Sequence, residues 1–265
     1  MSGFLDALPA RYSTVFCDIW GVVHDGGRLY PGACERLLGW KREGRSILLL
    51  TNAPRSEAAV ERALDRIGLP RSAYDGVASS GEAGIAALQG RPVGFLGTAA
   101  DRADYVGRGL EIVDEGYSEL ACAGLDERRN RPEQYGPDLE RWAAAGVLMH
   151  CLNPDRIVMR EGAEEACAGA LADIYETLGG TVRWYGKPHA PIYDYALERA
   201  GRPPRENVLA IGDGLVTDVL GAARAGIDCV FVTGGIHGGR DFPADFATVH
   251  RLGHWQPVAV VAGLG

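Results

Sequence analysis

The 265-residue sequence contains no apolar run approaching the roughly 20 residues of a membrane-spanning helix, so no span is expected. Positive charge is also in deficit. Lys and Arg total 27 against 35 Asp and Glu, a formal net charge of −8. Nucleic-acid backbones select basic surfaces, so a nucleic acid is not an expected partner. A small phosphate ester needs only a few local positive groups and stays open as a ligand. The six cysteines (Cys17, Cys34, Cys122, Cys151, Cys167, Cys229) form no CxxC pair. They are expected to be reduced and mostly buried in a cytoplasmic protein, with no zinc site. The stretch Met1 to Arg11 lacks the basic start, apolar middle and small cleavage site of a signal peptide. Internal repeats, low-complexity tracts and long linkers are missing as well.

What remains is an ordinary globular composition, 46% hydrophobic and 23% charged. The length suits one large domain or two modest ones. Thr14–Asp18 is an apolar run closed by a carboxylate, and His24-Asp25-Gly26-Gly27 follows as a turn. Ala33–Glu43 reads as a helix. Ser46-Ile47-Leu48-Leu49-Leu50-Thr51-Asn52 reads as a strand buried on both faces. Ser56 is placed to cap a helix carrying Val60, Ala63, Leu64 and Ile67, which Gly68 and Pro70 stop. Gly76–Ser79 is a third strand, followed by a helix from about Gly81 to Gln89. This β-α-β-α alternation predicts a parallel sheet with right-handed crossovers.

Farther on, Val93–Leu96, Leu110–Val113, Val147–Leu152 and Thr181–Tyr185 read as strands. Pro137–Ala145 and Glu164–Leu178 read as helices. The opening rhythm then resumes: a helix over Pro191–Ala200, a strand over Val208–Ile211, a helix reaching Ala225, and a strand over Cys229–Val232. The tail from His237 reads as irregular, with a weak apolar run at Val258–Val261.

Three strand ends carry polar residues of chemical interest: Asp18, Thr51-Asn52 and Asp213. Parallel strands share one carboxyl edge, where ligands of open α/β sheets bind. Asp18, Asp213 and Asp218 on such an edge suit a hard cation such as Mg2+. A carboxylate nucleophile, a threonine hydroxyl, backbone amides and Lys187, held in Gly186-Lys187-Pro188, suit phosphoryl transfer. Each also has a plainer reading: Asp18 and Asp213 as helix caps, Thr51 and Asn52 as strand-end caps, Lys187 as a solvated side chain.

Taken together, these stretches resemble the haloacid dehalogenase superfamily of aspartate-nucleophile hydrolases. Asp18-Ile19-Trp20-Gly21-Val22 is similar to its first motif, Leu50-Thr51-Asn52 to its second and Gly186-Lys187-Pro188 to its third. Gly212-Asp213-Gly214-Leu215-Val216-Thr217-Asp218 resembles its acidic fourth motif. Ala225-Gly226, Thr233-Gly234 and the long insertion between the second and third motifs resemble class IIA, which includes sugar-phosphate and 4-nitrophenyl phosphatases. The resemblance implies a doubly wound parallel α/β core over residues 1–77 and 186–265, with a C2-type α/β cap over 78–185. It implies Asp18 as nucleophile and Mg2+ ligand, and the backbone carbonyl of Trp20 as a second ligand. Thr51 and the amide of Asn52 would hold the phosphoryl group, and Lys187 would steady Asp18 and the phosphate. Asp213 would ligate Mg2+, with Asp218 supporting the metal shell. The expected activity is Mg2+-dependent hydrolysis of a small phosphorylated metabolite.

One position departs from the family pattern. Two residues after the nucleophile, where these phosphatases carry a second aspartate that protonates the leaving group, stands Trp20. General acid–base help is typically worth about 10²–10⁴ in rate. Weak general activity, or restriction to leaving groups that need no proton, is therefore expected. Two other readings stand beside this one: a phosphometabolite-binding protein with little turnover, and a carbon–halogen hydrolase, against which Asp213 and Asp218 argue. His24 and Asp25 on the turn, and His150 and Asn153-Pro154-Asp155 in the insertion, are candidates to face the site. Arg128-Arg129-Asn130-Arg131 reads as a solvated loop.

Overall fold

The computed structural model describes residues 3–160, 163–235, 239 and 241–265. Met1 and Ser2 of the N-terminal stretch, and His237 at the start of the irregular tail, lie outside the described residues. The chain divides into two compact units. The first comprises Met1–Thr51, Glu57–Ala78 and Lys187–Gly265; the second comprises Asn52–Ser56 and Ser79–Gly186. Residues 52–56 thus group with the second unit, where the sequence reading puts them in the first.

In chain order the strands are β1 (Thr14–Asp18), β2 (Ser46–Thr51), β3 (Gly76–Ser79), β4 (Pro92–Leu96), β5 (Glu111–Ile112), β6 (Glu119–Cys122) and β7 (Leu148–Cys151). They continue as β8 (Ile157–Arg160), β9 (Ala163–Ala166), β10 (Thr181–Trp184), β11 (Val208–Gly212), β12 (Asp228–Val232) and β13 (Ala259–Val261). The first unit's sheet has the order β13-β12-β11-β1-β2-β3. β1 pairs in parallel with both β2 and β11, β11 with β12, and β12 with β13. This is the doubly wound order 3-2-1-4-5-6, whose switch point falls between β1 and β11. The continuous apolar runs are buried as their pattern predicts: every residue of β1 and of β11 is buried. Leu37 and Trp40 from the helix Ala33–Arg42 pack into the same core as Leu49 and Ile211.

Register sets the chemistry-bearing edge. Asp18 lies opposite Leu50 and Cys17 opposite Ile211, so Thr51 and the stretch entering Asp213 emerge just beyond the level of Asp18.

The second unit has its own parallel sheet, in the order β10-β7-β6-β4-β5, and a separate antiparallel pair, β8-β9. Its core is built from Leu120, Met149, Leu171 and Tyr175, among others. Several of its elements differ from the sequence reading, the unpredicted β8 among them. The predicted helix over Glu164–Leu178 is a strand to Ala166 and a helix only over Ala168–Thr177. The Cys167 amide donates to the Arg156 carbonyl at 2.9 Å, which continues the hairpin and delays the helix. A helix over Ala99–Gly107, unpredicted, starts at a capping box between Thr98 and Asp101. Strand β6 is also unpredicted.

The tightest test of the first core is Leu49, fully buried on β2. Leu49→Ala is expected to lower unfolding free energy by about 2–5 kcal/mol in urea denaturation, with the slope of the transition unchanged.

Candidate active site

Lys187 sits three residues ahead of the helix Ala190–Arg199, and its side chain is almost fully buried. Its Nζ donates to Asp18 Oδ1 at 2.6 Å and to Asp218 Oδ1 at 2.7 Å. Asp18 ends β1. Asp218 lies in the π-helical turn Leu215–Val219 that follows β11, where the Asp218 and Val219 amides both donate to the Gly214 carbonyl. Asp218 Oδ2 accepts from the Gly214 amide at 3.2 Å and from the Thr217 hydroxyl at 3.1 Å. One carboxylate oxygen from each of Asp18, Asp213 and Asp218 lies within 4.8 Å of the others, and all three residues are buried.

Asp213 occupies a slot between two glycines. A Cβ on Gly21, whose φ is +92°, would stand 2.6 Å from Asp213 Cγ, and one on Gly235 would stand equally close. Gly21 therefore serves both a left-handed backbone and a close approach that any side chain would block. Gly235 was not among the residues singled out from the sequence, because nothing local distinguishes it from the other glycines of the tail. A cavity of about 260 Å³ opens beside Asp213, walled by Leu215, Val216, Phe231 and Thr233.

The charge balance is unequal. Burial first, then Asp218, push the Asp18 carboxyl well above the usual carboxylate range; Lys187 opposes this and Asp213 adds to it. Burial works to lower the Lys187 ammonium, but Asp18 and Asp218 outweigh it and hold the group above its ordinary value. Asp18 and Asp218 share the Lys187 ammonium, Asp213 brings a third buried carboxylate close by, and the donors are hard oxygens. That set fits a hard divalent cation, which would supply the missing positive charge.

The other predicted residues fall as follows. Thr51 is the last residue of β2, at the same carboxyl edge. Asn52 is buried, and its side-chain amide donates to Asp155 Oδ1 at 2.8 Å. Asn153 closes the turn at Pro154 by accepting the Asp155 amide at 3.2 Å. The Trp20 indole lies edge-on to His24, with ring centroids 5.6 Å apart, and Gly26 passes against its far edge. Asp25 Oδ1 accepts from the Gly27 and Arg28 amides, both at 2.9 Å, so its carboxylate is engaged in the turn itself. His24 Nδ1 accepts from the Gly26 amide at 2.8 Å, which assigns the ring proton to Nε2; burial pushes its pKa down. His150 is fully buried, with Tyr185 Oη at 2.9 Å from Nδ1 and Glu119 Oε2 at 2.7 Å from Nε2. Both its nitrogens are thus used inside the second unit. Arg129 is not a solvated side chain: it pairs with Asp126 and Asp138 and stacks over Tyr135 at 3.7 Å.

Comparison with known proteins bears on this geometry. A family model described as haloacid dehalogenase-like hydrolase matches residues 15–111, and one described as HAD-hydrolase-like matches 184–262. A haloacid dehalogenase-like hydrolase from Brucella suis 1330, known from its crystal structure, is 34% identical, with 98% of each chain covered and a TM-score of 0.83. The chain belongs to the haloacid dehalogenase-like hydrolases. Within that family it is similar to the ribonucleotide monophosphatase NagD of Escherichia coli K12, at 27% identity over 84% of this chain and 88% of that protein. It shares its fold with the glycerol phosphate phosphatase of Mycobacterium tuberculosis, solved in complex with magnesium (22% identity, TM-score 0.74, 96% of this chain and 76% of that one).

For this hydrolase the raised Asp18 pKa has a signed consequence. The folded state holds that proton more tightly than the unfolded chain, so stability falls as pH rises from the usual carboxylate range through the raised value. The Asp18 contribution to the stability of metal-free protein is therefore expected to fall as pH rises through that range, and Asp18→Asn to remove that part of the pH dependence of the melting temperature. Added Mg2+ is expected to raise the melting temperature mainly at the upper end of that range. Differential scanning calorimetry with EDTA or Mg2+ measures both effects.

Proposed function

We propose that the protein is a Mg2+-dependent phosphatase of a small phosphorylated metabolite, working through an aspartyl-phosphate on Asp18. The observation that carries this reading is the Lys187 ammonium held between Asp18 and Asp218, with Asp213 close by. Asp18 attacks phosphorus while Lys187 holds its other oxygen's charge in check. The P–O bond to the leaving group breaks and its electron pair departs with that oxygen. Water then attacks the phosphorus of the aspartyl-phosphate, releasing inorganic phosphate and the Asp18 carboxylate. The Thr51 hydroxyl and the Asn52 main-chain amide hold the phosphoryl oxygens. Asp18, Asp213, Asp218 and the Trp20 carbonyl are the residues that would hold Mg2+, whose charge would ease the approach of a carboxylate to a phosphate.

In this reading the unit from Ser79 to Gly186 is the C2-type α/β cap, and the protein works in the cytoplasm. Among the described residues no helix is long and apolar enough to cross a membrane. The relatives' names, a ribonucleotide monophosphatase and a glycerol phosphate phosphatase, favour a small phosphorylated substrate. The acidic net charge disfavours a nucleic acid.

Trp20 limits the reaction. No carboxylic acid stands two residues after Asp18 to protonate the leaving oxygen, so acyl and aryl phosphates, whose leaving groups are stable as anions, are the expected substrates. Asp18→Asn is expected to abolish phosphate release in a malachite-green assay; full retention would overturn the nucleophile assignment. Trp20→Asp is expected to raise turnover of alkyl monoesters by about 10²–10⁴ while changing acetyl phosphate hydrolysis far less.

The same Trp20 favours a second reading, a phosphometabolite-binding protein with little turnover. Tight binding of a phosphorylated ligand by calorimetry, with no phosphate release in Mg2+ from either wild type or Trp20→Asp, would select it.

A further inference from the structure

Tyr193 lies one turn into the helix Ala190–Arg199, six residues after Lys187, the partner of Asp18 and Asp218. It is 1% exposed, and its hydroxyl donates to the main-chain carbonyl of Asp218 at 3.2 Å. That carbonyl belongs to the π-helical turn Leu215–Val219, the widened turn that swings the Asp218 side chain back toward Lys187 and the Gly214 amide. π-turns are rare, single-turn departures from the α-helix that recur at functional sites. Immediately downstream, the helix Leu220–Ala225 carries Gly221. A Cβ at Gly221 would stand 2.6 Å from Tyr193 Cε2 and 2.8 Å from Cζ. The glycine is what lets the phenol lie against this helix and reach the carbonyl. A buried hydroxyl is expensive to leave without a partner, so the contact pins both elements at once.

We propose that Tyr193 is a positioning residue for the metal centre: its hydroxyl fixes the Asp218 turn, and so sets the carboxylate that a divalent cation would meet beside Asp18 and Asp213. The inference rests on the reading of these carboxylates as a metal centre. Tyr193 touches neither substrate nor reacting atoms. It acts through the main chain of Asp218, as outer partners of metal ligands do when they fix ligand orientation.

Tyr193→Phe removes one oxygen and keeps the buried ring. Titration of metal-free protein with Mg2+ by isothermal calorimetry is expected to show affinity about tenfold weaker than wild type, with the Mg2+-dependent rise in melting temperature reduced in step. Phosphatase kinetics, where measurable, should show the half-saturating Mg2+ concentration raised and the substrate KM at saturating Mg2+ little altered. Gly221→Ala attacks the same contact from the other side, by pressing a methyl group against the phenol, and is expected to weaken Mg2+ binding in the same direction. A hydroxyl serving packing alone would lower the metal-free melting temperature and leave Mg2+ affinity at the wild-type value; that result in Tyr193→Phe overturns the proposal. If wild type itself binds no Mg2+, the metal-centre reading fails and this inference with it. If wild type binds and both variants match it, only the role of Tyr193 is lost.

Discussion

The Lys187 ammonium is the point on which the first unit's chemistry turns. It joins Asp18 to Asp218 in a buried bridge, and so ties a strand end near the start of the chain to a lysine 169 positions later and to a carboxylate beyond it. Breaking a buried ion pair from one side typically costs about 3–5 kcal/mol, because the remaining charge has no compensation. A third buried carboxylate, Asp213, lies within 4.8 Å of the bridged pair. The fold holds them together through the sheet: β1 and β11 are neighbours, both wholly buried, and their carboxyl ends cannot separate without losing the core. The core thus pays for an electrostatic arrangement that would not assemble by itself.

Much of this was legible in the sequence, for a definite reason. Strands buried on both faces read as unbroken apolar runs, and a carboxylate at the end of such a run is conspicuous. That pattern marked Asp18 and Asp213, and the Gly-rich approach marked Asp218. Lys187 between glycine and proline was distinctive in the same way. The second unit was harder. Ala163–Ala166, Ala-Glu-Glu-Ala, has the composition of a helix, yet pairing with Ile157–Arg160 makes it a strand. The helix Ala99–Gly107 buries only Tyr105, so no apolar stripe announces it, although Thr98 and Asp101 supplied a capping signal. Tyr193 left no trace at all: its partner is a main-chain carbonyl, and carbonyls carry no sequence signature.

Trp20 stands two residues after Asp18, where the motif resemblance leads one to expect a carboxylate. Its indole is not loose in a catalytic position. It forms one wall of a small turn in which His24, Asp25 and Gly26 are each committed to local contacts. The substitution is therefore part of a packed unit. An aromatic ring there stiffens the loop next to the nucleophile, whereas a carboxylate would bring charge to it. In the proposed phosphatase reading, an indole here leaves no carboxylic acid two residues after Asp18 to deliver a proton.

The strand order has a bearing on biosynthesis. β1 and β2 emerge from the ribosome early, but the neighbour that covers the other side of β1, with Thr14 set against Val208, is made only after the whole second unit. At about 5–20 residues per second the wait is on the order of ten seconds or more. Throughout that time the nascent first unit shows a bare strand edge of Thr14, Val15, Phe16 and Cys17, a template for pairing with other chains. The second unit, continuous in sequence apart from Asn52–Ser56, is free to fold while the first waits. A chain released before Val208 would carry an unprotected edge, and such truncated products are the ones a cell's chaperones and proteases would have to clear.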